Sequence, residues 1–292
     1  MASNVDIQLL ESALFQSTGI PQAVKSAQHL SGGCINNAVK TVTNEGTYFI
    51  KFNDNIDEDM FEKEALGLSL LKAANHLQIP DVIGIGQVGP NHYIILEHIN
   101  KAAPSADFWE DFGQNLAKLH RQTAPTFGLD HNNYIGKLPQ RNDQEPGWLD
   151  FFIQHRLEVQ LGLALYNDHI DEAFANRFRQ IYPILPGIIP EEPPAMLHGD
   201  LWSGNFMVGP GGKACLFDPA VYYGHREIEL AFTKLFGGFD PAFYHGYHEQ
   251  YPVEPGFDQR MDIYNLYPLL VHVNLFGTSY LTGVEATLRR FL

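Results

Sequence analysis

Two aspartates and an asparagine in the second half of the chain have the types and spacing that phosphoryl transfer needs. In Leu197-His198-Gly199-Asp200-Leu201-Trp202-Ser203-Gly204-Asn205 an acid is followed five positions later by a carboxamide, and Asp218 stands thirteen residues further on, just after a short apolar run. In that order an Asp accepts the proton of an attacking hydroxyl, an Asn binds a metal ion, and a second Asp bridges Mg²⁺ to nucleotide phosphates. His-Gly-Asp alone is common, and an Asp after a Gly is ordinarily a turn residue or helix cap. Asn205 and Asp218 at this spacing make the stretch a candidate site, with Asp200 as the base and Asn205 and Asp218 as metal ligands.

Such a site needs elements that hold a nucleotide, and the first half of the chain supplies them in a consistent order. Leu30 to Lys40 reads as a turn between two strands, in which the small residues Ser31, Gly32 and Gly33, with Asn36, let backbone N–H groups approach phosphate oxygens. It lacks the full Gly-x-Gly-x-x-Gly pattern and is not a Walker A loop. Thr47 to Phe52 is an aromatic and β-branched strand whose alternation sets Phe49 and Lys51 on one face and Tyr48, Ile50 and Phe52 on the other. From Asp57 to about Asn75 the pattern is helical, with Met60, Phe61, Ala65, Leu68 and Leu71 on the apolar face. Glu64 lies in the middle of that face, a costly place for a carboxylate without a partner. Lys51 is the expected partner, and Glu62, on the polar side of the helix, is the rival acid. A further strand, Tyr93 to Ile99, ends in an acidic position where backbone groups around Glu97 and Ile99 can meet an adenine edge.

The order of loop, Lys strand, Glu helix, hinge strand, catalytic loop and metal Asp is that of protein kinases. His-Gly-Asp in place of His-Arg-Asp, and Phe217-Asp218-Pro219 in place of Asp-Phe-Gly, point to small-molecule kinases that share their fold. Over most of its length the chain resembles the fructosamine-3-kinase/ketosamine-3-kinase family, a branch of the aminoglycoside-phosphotransferase-like kinases. The resemblance is carried by Gly32 to Asn37, Phe61 to Ala65, His198 to Asn205, Leu269 to Gly277 and, most specifically, Asp218-Pro219-Ala220-Val221-Tyr222-Tyr223-Gly224-His225-Arg226-Glu227. Glu229 stands where many relatives in the wider superfamily have Asp, in a position that braces the catalytic loop. The resemblance implies an α+β, bilobal protein-kinase-like fold: an N-terminal antiparallel sheet lobe with one key helix, residues 1–100, which binds nucleotide, and a larger, mostly helical catalytic and substrate lobe, residues 101–292. It further implies ATP and Mg²⁺ as cofactors and transfer to the 3-hydroxyl of a ketosamine, free or protein-bound, as a deglycation repair activity. Trp202 and His272 are then substrate contacts. Alternatives are a kinase of the same fold for another hydroxylated amine, aminoglycoside- or choline-like, and a non-catalytic nucleotide-binding redox regulator.

Composition narrows the field. At 292 residues the chain can bury a core large enough for two lobes. A formal charge of −15 argues against nucleic acid as a partner, because a phosphate backbone demands Lys and Arg, and suits a substrate bearing an amine. Apolar runs are too short to span a bilayer and the first thirty residues lack a signal-peptide core, so no membrane is expected and the cytoplasm is the default. The two cysteines, Cys34 and Cys215, make no disulfide framework. Cys34 follows the glycine pair of the phosphate loop, where N–H groups aimed at phosphate would also stabilise a thiolate, so it is a redox candidate and the chain a monomer or redox-linked homodimer. Further helices are expected from Ser105 to Arg121, from Trp148 to about Ile181 and from Asp258 to the end, with a proline-rich connector before the catalytic loop.

Overall fold

A computed structural model describes residues 6–30 and 36–292. They divide into two compact units: the described residues up to Phe108 together with Phe206–Pro219, and Trp109–Asn205 together with Ala220–Leu292.

The first unit opens with α1 (Ile7–Thr18), started by Asp6, whose carboxylate accepts from the Gln8 and Leu9 N–H groups. Then come β1 (Val24–His29), β2 (Asn37–Thr43), β3 (Thr47–Asn53), α2 (Met60–Ala74), β4 (Val82–Val88) and β5 (Asn91–Glu97). The strands form one antiparallel sheet in the order β1-β2-β3-β5-β4. Strand alternation decides what each face does. Ile50 joins Val39, Tyr93 and Ile95 in a core closed by Leu9, Leu10, Ala13 and Leu14 of α1. Lys51, one residue on, points to the other face, where α2 lies.

The remaining elements are α3 (Phe108–His120), β6 (Asn133–Ile135), β7 (Leu138–Gln140), α4 (Trp148–Phe151), α5 (Glu158–Tyr166), α6 (Glu172–Arg179), β8 (Ala195–Leu197), β9 (Phe206–Val208), β10 (Ala214–Leu216), β11 (Tyr222–Gly224), α7 (Arg226–Leu235), α8 (Pro241–Gln250), α9 (Phe257–Tyr264), α10 (Leu266–Phe276) and α11 (Leu281–Phe291). The β9–β10 hairpin belongs to the first unit, tied to it by the Gln78 backbone, which bonds Ala214 and Leu216. In the second unit β8 and β11 pair antiparallel and flank the catalytic loop.

Three boundaries differ from the sequence pattern. Helix α3 begins at Phe108, after a turn in which the Phe108 N–H bonds Ser105 O. The stretch from Trp148 is not one helix. A π-helical turn at Phe152–Leu157 separates α4 from α5, and α5 stops at Tyr166 because Asp168 takes a left-handed conformation (φ 56°). Asp171 then caps α6 through the Phe174 N–H. Asn and Asp side chains satisfy backbone groups locally and so break helices that hydropathy alone would continue. The proline-rich connector holds a short 3₁₀ helix, Tyr182–Gly187.

The run His225-Arg226-Glu227 is a buried anchor. Arg226 makes two 2.7 Å bonds to Glu192 and further bonds to the carbonyls of Tyr251 and Pro252. Glu227 receives two bonds from Arg260, at 2.8 and 2.6 Å, and Arg260 also reaches Glu254 O and Pro255 O. His225 is driven down to about 4 by burial, so its neutral ring donates from Nε2 to Pro190 O at 3.2 Å. Three consecutive side chains thus pin the segments around residues 190 and 251–255. Arg260→Met leaves the Glu227 carboxylate buried without its partner and should lower unfolding free energy by about 3–5 kcal/mol in chemical denaturation.

Candidate active site

In the first unit Lys51 is the focus. Its side chain is 6% exposed, its ammonium lies 2.8 Å from Glu64 Oε1, and it also forms an ion pair with Asp218. The strand and helix periods produce this meeting: Lys51 faces α2 from β3, and Glu64 is in the second turn of α2 on the side that carries Met60, Phe61 and Leu68. Glu62 is exposed and lies 3.8 Å from Lys63. Burial would lower the Lys51 ammonium, but the Asp218 and Glu64 carboxylates override it and raise its pKa, so it stays charged. Glu64 is shifted upward by burial, against the pull of Lys51, with the Asp218 charge adding to the rise. One cation thus serves two carboxylates, an arrangement with room for a second positive charge. Asp218 is the more open of the pair, 38% exposed against 12% for Glu64, and sits at φ 56°, a conformation Asp tolerates.

The other nucleotide-side residues are placed unevenly. Asn36 accepts a 2.9 Å bond from Asn53 Nδ2, which ties the start of β2 to the end of β3. Glu97 ends β5 exposed, and its N–H donates to Asp81 O at 2.8 Å while its carboxylate accepts from the Asp81 N–H. The Glu97 N–H is therefore engaged within the protein, because the 81–82 segment pairs with the end of β5. Ile99, half-buried, follows that strand. Ser31, Gly32, Gly33 and Cys34, and with Cys34 the expectation of a redox-linked dimer, lie outside the described residues. Cys215 is fully buried and pushed up to about 12 by burial, as suits an inert core thiol.

In the second unit the catalytic loop leaves β8 through a position only glycine can fill. Gly199 has φ 85°, and a Cβ there would lie 2.0 Å from Ala220 O. Asp200 follows, half-buried, and Asn205 Nδ2 donates to both its carbonyl and its Oδ2, at 2.8 and 2.9 Å. Those bonds orient the Asn205 amide and leave its Oδ1 for another partner. Trp202 is half-buried and lies over Gly204, where a Cβ would meet the indole at 2.3 Å. Its place is therefore within the loop and not in the core.

Beneath the loop, Glu229 of α7 accepts from the Gly199 N–H at 2.7 Å, the His198 N–H at 3.2 Å and His120 Nε2 at 2.8 Å. Burial pushes its carboxyl up, but the bond from His120, with His198 and the Gly199 N–H, holds it below the ordinary carboxylate value. The structure thus gives Glu229 the bracing contacts that its position suggests, and adds His120, which sequence reasoning missed. A signal was available: His120 follows Leu116 and Leu119 on the apolar side of α3, where a polar ring needs a partner.

Asp200 and His272 share one pocket of the second unit, lined also by Gly199, Tyr222, Phe232 and Tyr267, and Trp202 lies outside that lining. His272 donates from Nδ1 to Pro268 O at 2.7 Å, and burial holds it below its usual value, so its Nε2 is an acceptor. Its ring is 4.7 Å from Phe236 and 5.0 Å from Tyr280, centroid to centroid. Tyr267 is a pocket wall that no sequence motif singled out, and Tyr222 is one that the Asp218–Glu227 run contained without a role.

Each unit carries one hard oxygen donor of the kind a divalent cation takes: in the first the Asp218 carboxylate, which shares its lysine with Glu64, and in the second the amide oxygen of Asn205. The buried ion pair can be measured in the free protein. In a double-mutant cycle on unfolding free energy, Lys51→Met and Glu64→Ala should be non-additive by about 1–3 kcal/mol, while Glu62→Ala should stay within about 0.5 kcal/mol of the parent. Strict additivity would show that the pair carries no coupling.

Known proteins are similar to this chain over most of its length. The family model for fructosamine kinase matches residues 7–292. A probable ketoamine kinase of Synechocystis sp. is 39% identical over 291 residues, 98% of this chain and 96% of the relative. The chloroplastic protein-ribulosamine 3-kinase of Oryza sativa subsp. indica is 34% identical over 275 residues, 92% of this chain and 79% of the relative. Among solved structures, a candidate fructosamine-3-kinase of Thermobifida fusca is similar with a TM-score of 0.87 at 28% identity, covering 97% of this chain and 98% of that one. The chain belongs to the fructosamine kinase family and has its α+β, protein-kinase-like fold.

Proposed function

We propose that this phosphotransferase moves the γ-phosphoryl group of ATP to the 3-hydroxyl of a ketosamine, free or protein-bound. The observation that carries the reading is the Lys51–Glu64–Asp218 cluster, in a chain whose relatives are named ketoamine and ribulosamine kinases. The first unit would take the nucleotide and the second the acceptor, corresponding to residues 1–100 and 101–292 with the 206–219 segment contributing Asp218. Lys51, oriented by Glu64, would hold the α- and β-phosphates. The segment Ser31 to Ala38 is assigned to the phosphates by its sequence, and the backbone around Glu97 and Ile99 to adenine.

Asp200 would accept the proton of the attacking hydroxyl, its carboxylate held through Oδ2 by the Asn205 amide. Mg²⁺, held by Asn205 and Asp218, would neutralise charge on the phosphates. Trp202 and His272 would contact the acceptor, Trp202 through its indole face and His272 through Nε2. A phosphate at carbon 3 becomes an allylic leaving group once the ketosamine tautomerises to its enaminol. Its loss frees the amine, so the activity would serve deglycation. The acidic balance of the chain favours an amine-bearing acceptor. No helix among the described residues is long and apolar enough to cross a membrane, and we place the activity in the cytoplasm.

Product analysis with ATP and lysine adducts of fructose, ribulose and erythrulose, beside an aminoglycoside and choline, should give phosphate on carbon 3 of the ketosamines. Turnover of choline or the aminoglycoside alone would favour the broader kinase reading. Asp200→Asn should lower kcat by about 10²-fold or more with ATP binding retained, and Asp218→Asn should abolish Mg²⁺-dependent nucleotide binding. Trp202→Ala should raise KM for the ketosamine and leave ATP affinity within a few-fold. A loss of folded protein instead would assign Trp202 to packing.

A further inference from the structure

We infer that His120 is a positioning residue for the catalytic loop, acting through Glu229, with Tyr247 fixing its imidazole. The inference rests on the reading of Asp200 as the base and extends it to a buried chain on three helices. His120 is fully buried on α3 and Glu229 almost so on α7. His120 Nε2 lies 2.8 Å from Glu229 Oε2, and His120 Nδ1 lies 2.8 Å from the hydroxyl of Tyr247 on α8. Arg226 donates to that hydroxyl at 3.4 Å, so the hydroxyl hydrogen goes to Nδ1 and the ring proton sits on Nε2, facing the acid.

What the chain holds is the backbone directly before Asp200. The two N–H groups of His198 and Gly199 converge on the two oxygens of one carboxylate, which accepts both most strongly while it is ionised. A protonated acid carries a hydrogen on one of its two oxygens and must place it against a donor. The imidazole supplies the third donor that keeps the buried acid ionised, and it is the largest of the influences opposing burial. The titratable groups facing Glu229 are His120 from α3, His198 from the loop and Tyr222 from β11. Without His120 only the backbone bonds and His198 remain to oppose burial. The acid should then titrate higher than in the parent protein, and the loop should lose its brace as the pH falls.

This predicts a pH signature that loss of packing alone does not produce. In His120→Leu the carboxyl of Glu229 rises, so activity is lost at low pH and regained as the pH climbs above the new value. His120→Gln offers an amide N–H close to where Nε2–H stood and should restore the bond.

The test is steady-state kinetics of wild type, His120→Leu, His120→Gln and Tyr247→Phe from pH 6 to 8.5, normalised to folded protein by thermal unfolding. His120→Leu should lose about tenfold in kcat at pH 7, with KM for ATP within about twofold and the deficit shrinking toward pH 8.5, in keeping with the cost of a displaced catalytic group. His120→Gln should recover most of the loss. Tyr247→Phe keeps the ring and removes only the hydroxyl, and should lower kcat about two- to threefold, which keeps the test alive should His120→Leu not fold. Unchanged kcat in both His120→Leu and Tyr247→Phe, or a deficit of the same size at every pH and in both His120 variants, would overturn the inference. Asp200→Asn in the same assay separates the two claims: retained kcat there removes the base reading itself, whereas its loss beside an unaffected His120→Leu removes only the positioning role.

Discussion

A buried carboxylate must receive enough donors to replace the water it has lost, and in this protein that requirement organises both units. Glu64 obtains Lys51. Glu229 obtains two backbone N–H groups and an imidazole, Glu227 obtains the fork of Arg260, and Glu192 that of Arg226. Each pairing joins segments distant in sequence, so each acid determines where a strand, loop or helix end must lie. The side-chain partners Lys51, His120, Arg226 and Arg260 all sit on regular elements, and the groups they fix outside such elements are Glu192 and, through Glu229, the backbone of His198 and Gly199.

The two units meet this requirement in different ways, and the difference suits their assigned chemistry. In the first, one lysine faces two carboxylates, leaving a local excess of negative charge that a hard cation and its phosphates can enter. In the second, Glu229 receives two backbone N–H groups and an imidazole and holds the backbone before Asp200, while Asp200 itself is half-buried and its Oδ2 accepts from Asn205.

The family-signature run Tyr222 to Glu227 contains no group that faces the reacting atoms directly apart from Tyr222 in the pocket wall. Its specificity as a motif comes from structure: β11 pairs with the strand that delivers the catalytic loop, and the next three side chains anchor the segments around residues 190 and 251–255.

Much of the site is legible in the residues themselves. Alternation in β3 and the apolar face of α2 point Lys51 and Glu64 toward each other, since periods of two and 3.6 define faces without knowledge of the fold. The spacing of Asp200, Asn205 and Asp218 likewise carries its chemistry in the chain. Other features depend on groups brought together from afar. The engaged N–H of Glu97 depends on Asp81, which only the sheet order places beside it. The break after Tyr166 depends on the left-handed backbone at Asp168, and the restart on the Asp171 cap, neither of which hydropathy registers. Tyr267 and His272 reach the pocket of Asp200 because α10 packs there, and His120 reaches Glu229 because α3 and α7 do. Local sequence therefore determined which residues carry charge, which faces they occupy and the order of the elements. Tertiary structure alone decided which buried groups share a partner, because that depends on distances between elements, which the spacing within any one of them does not contain.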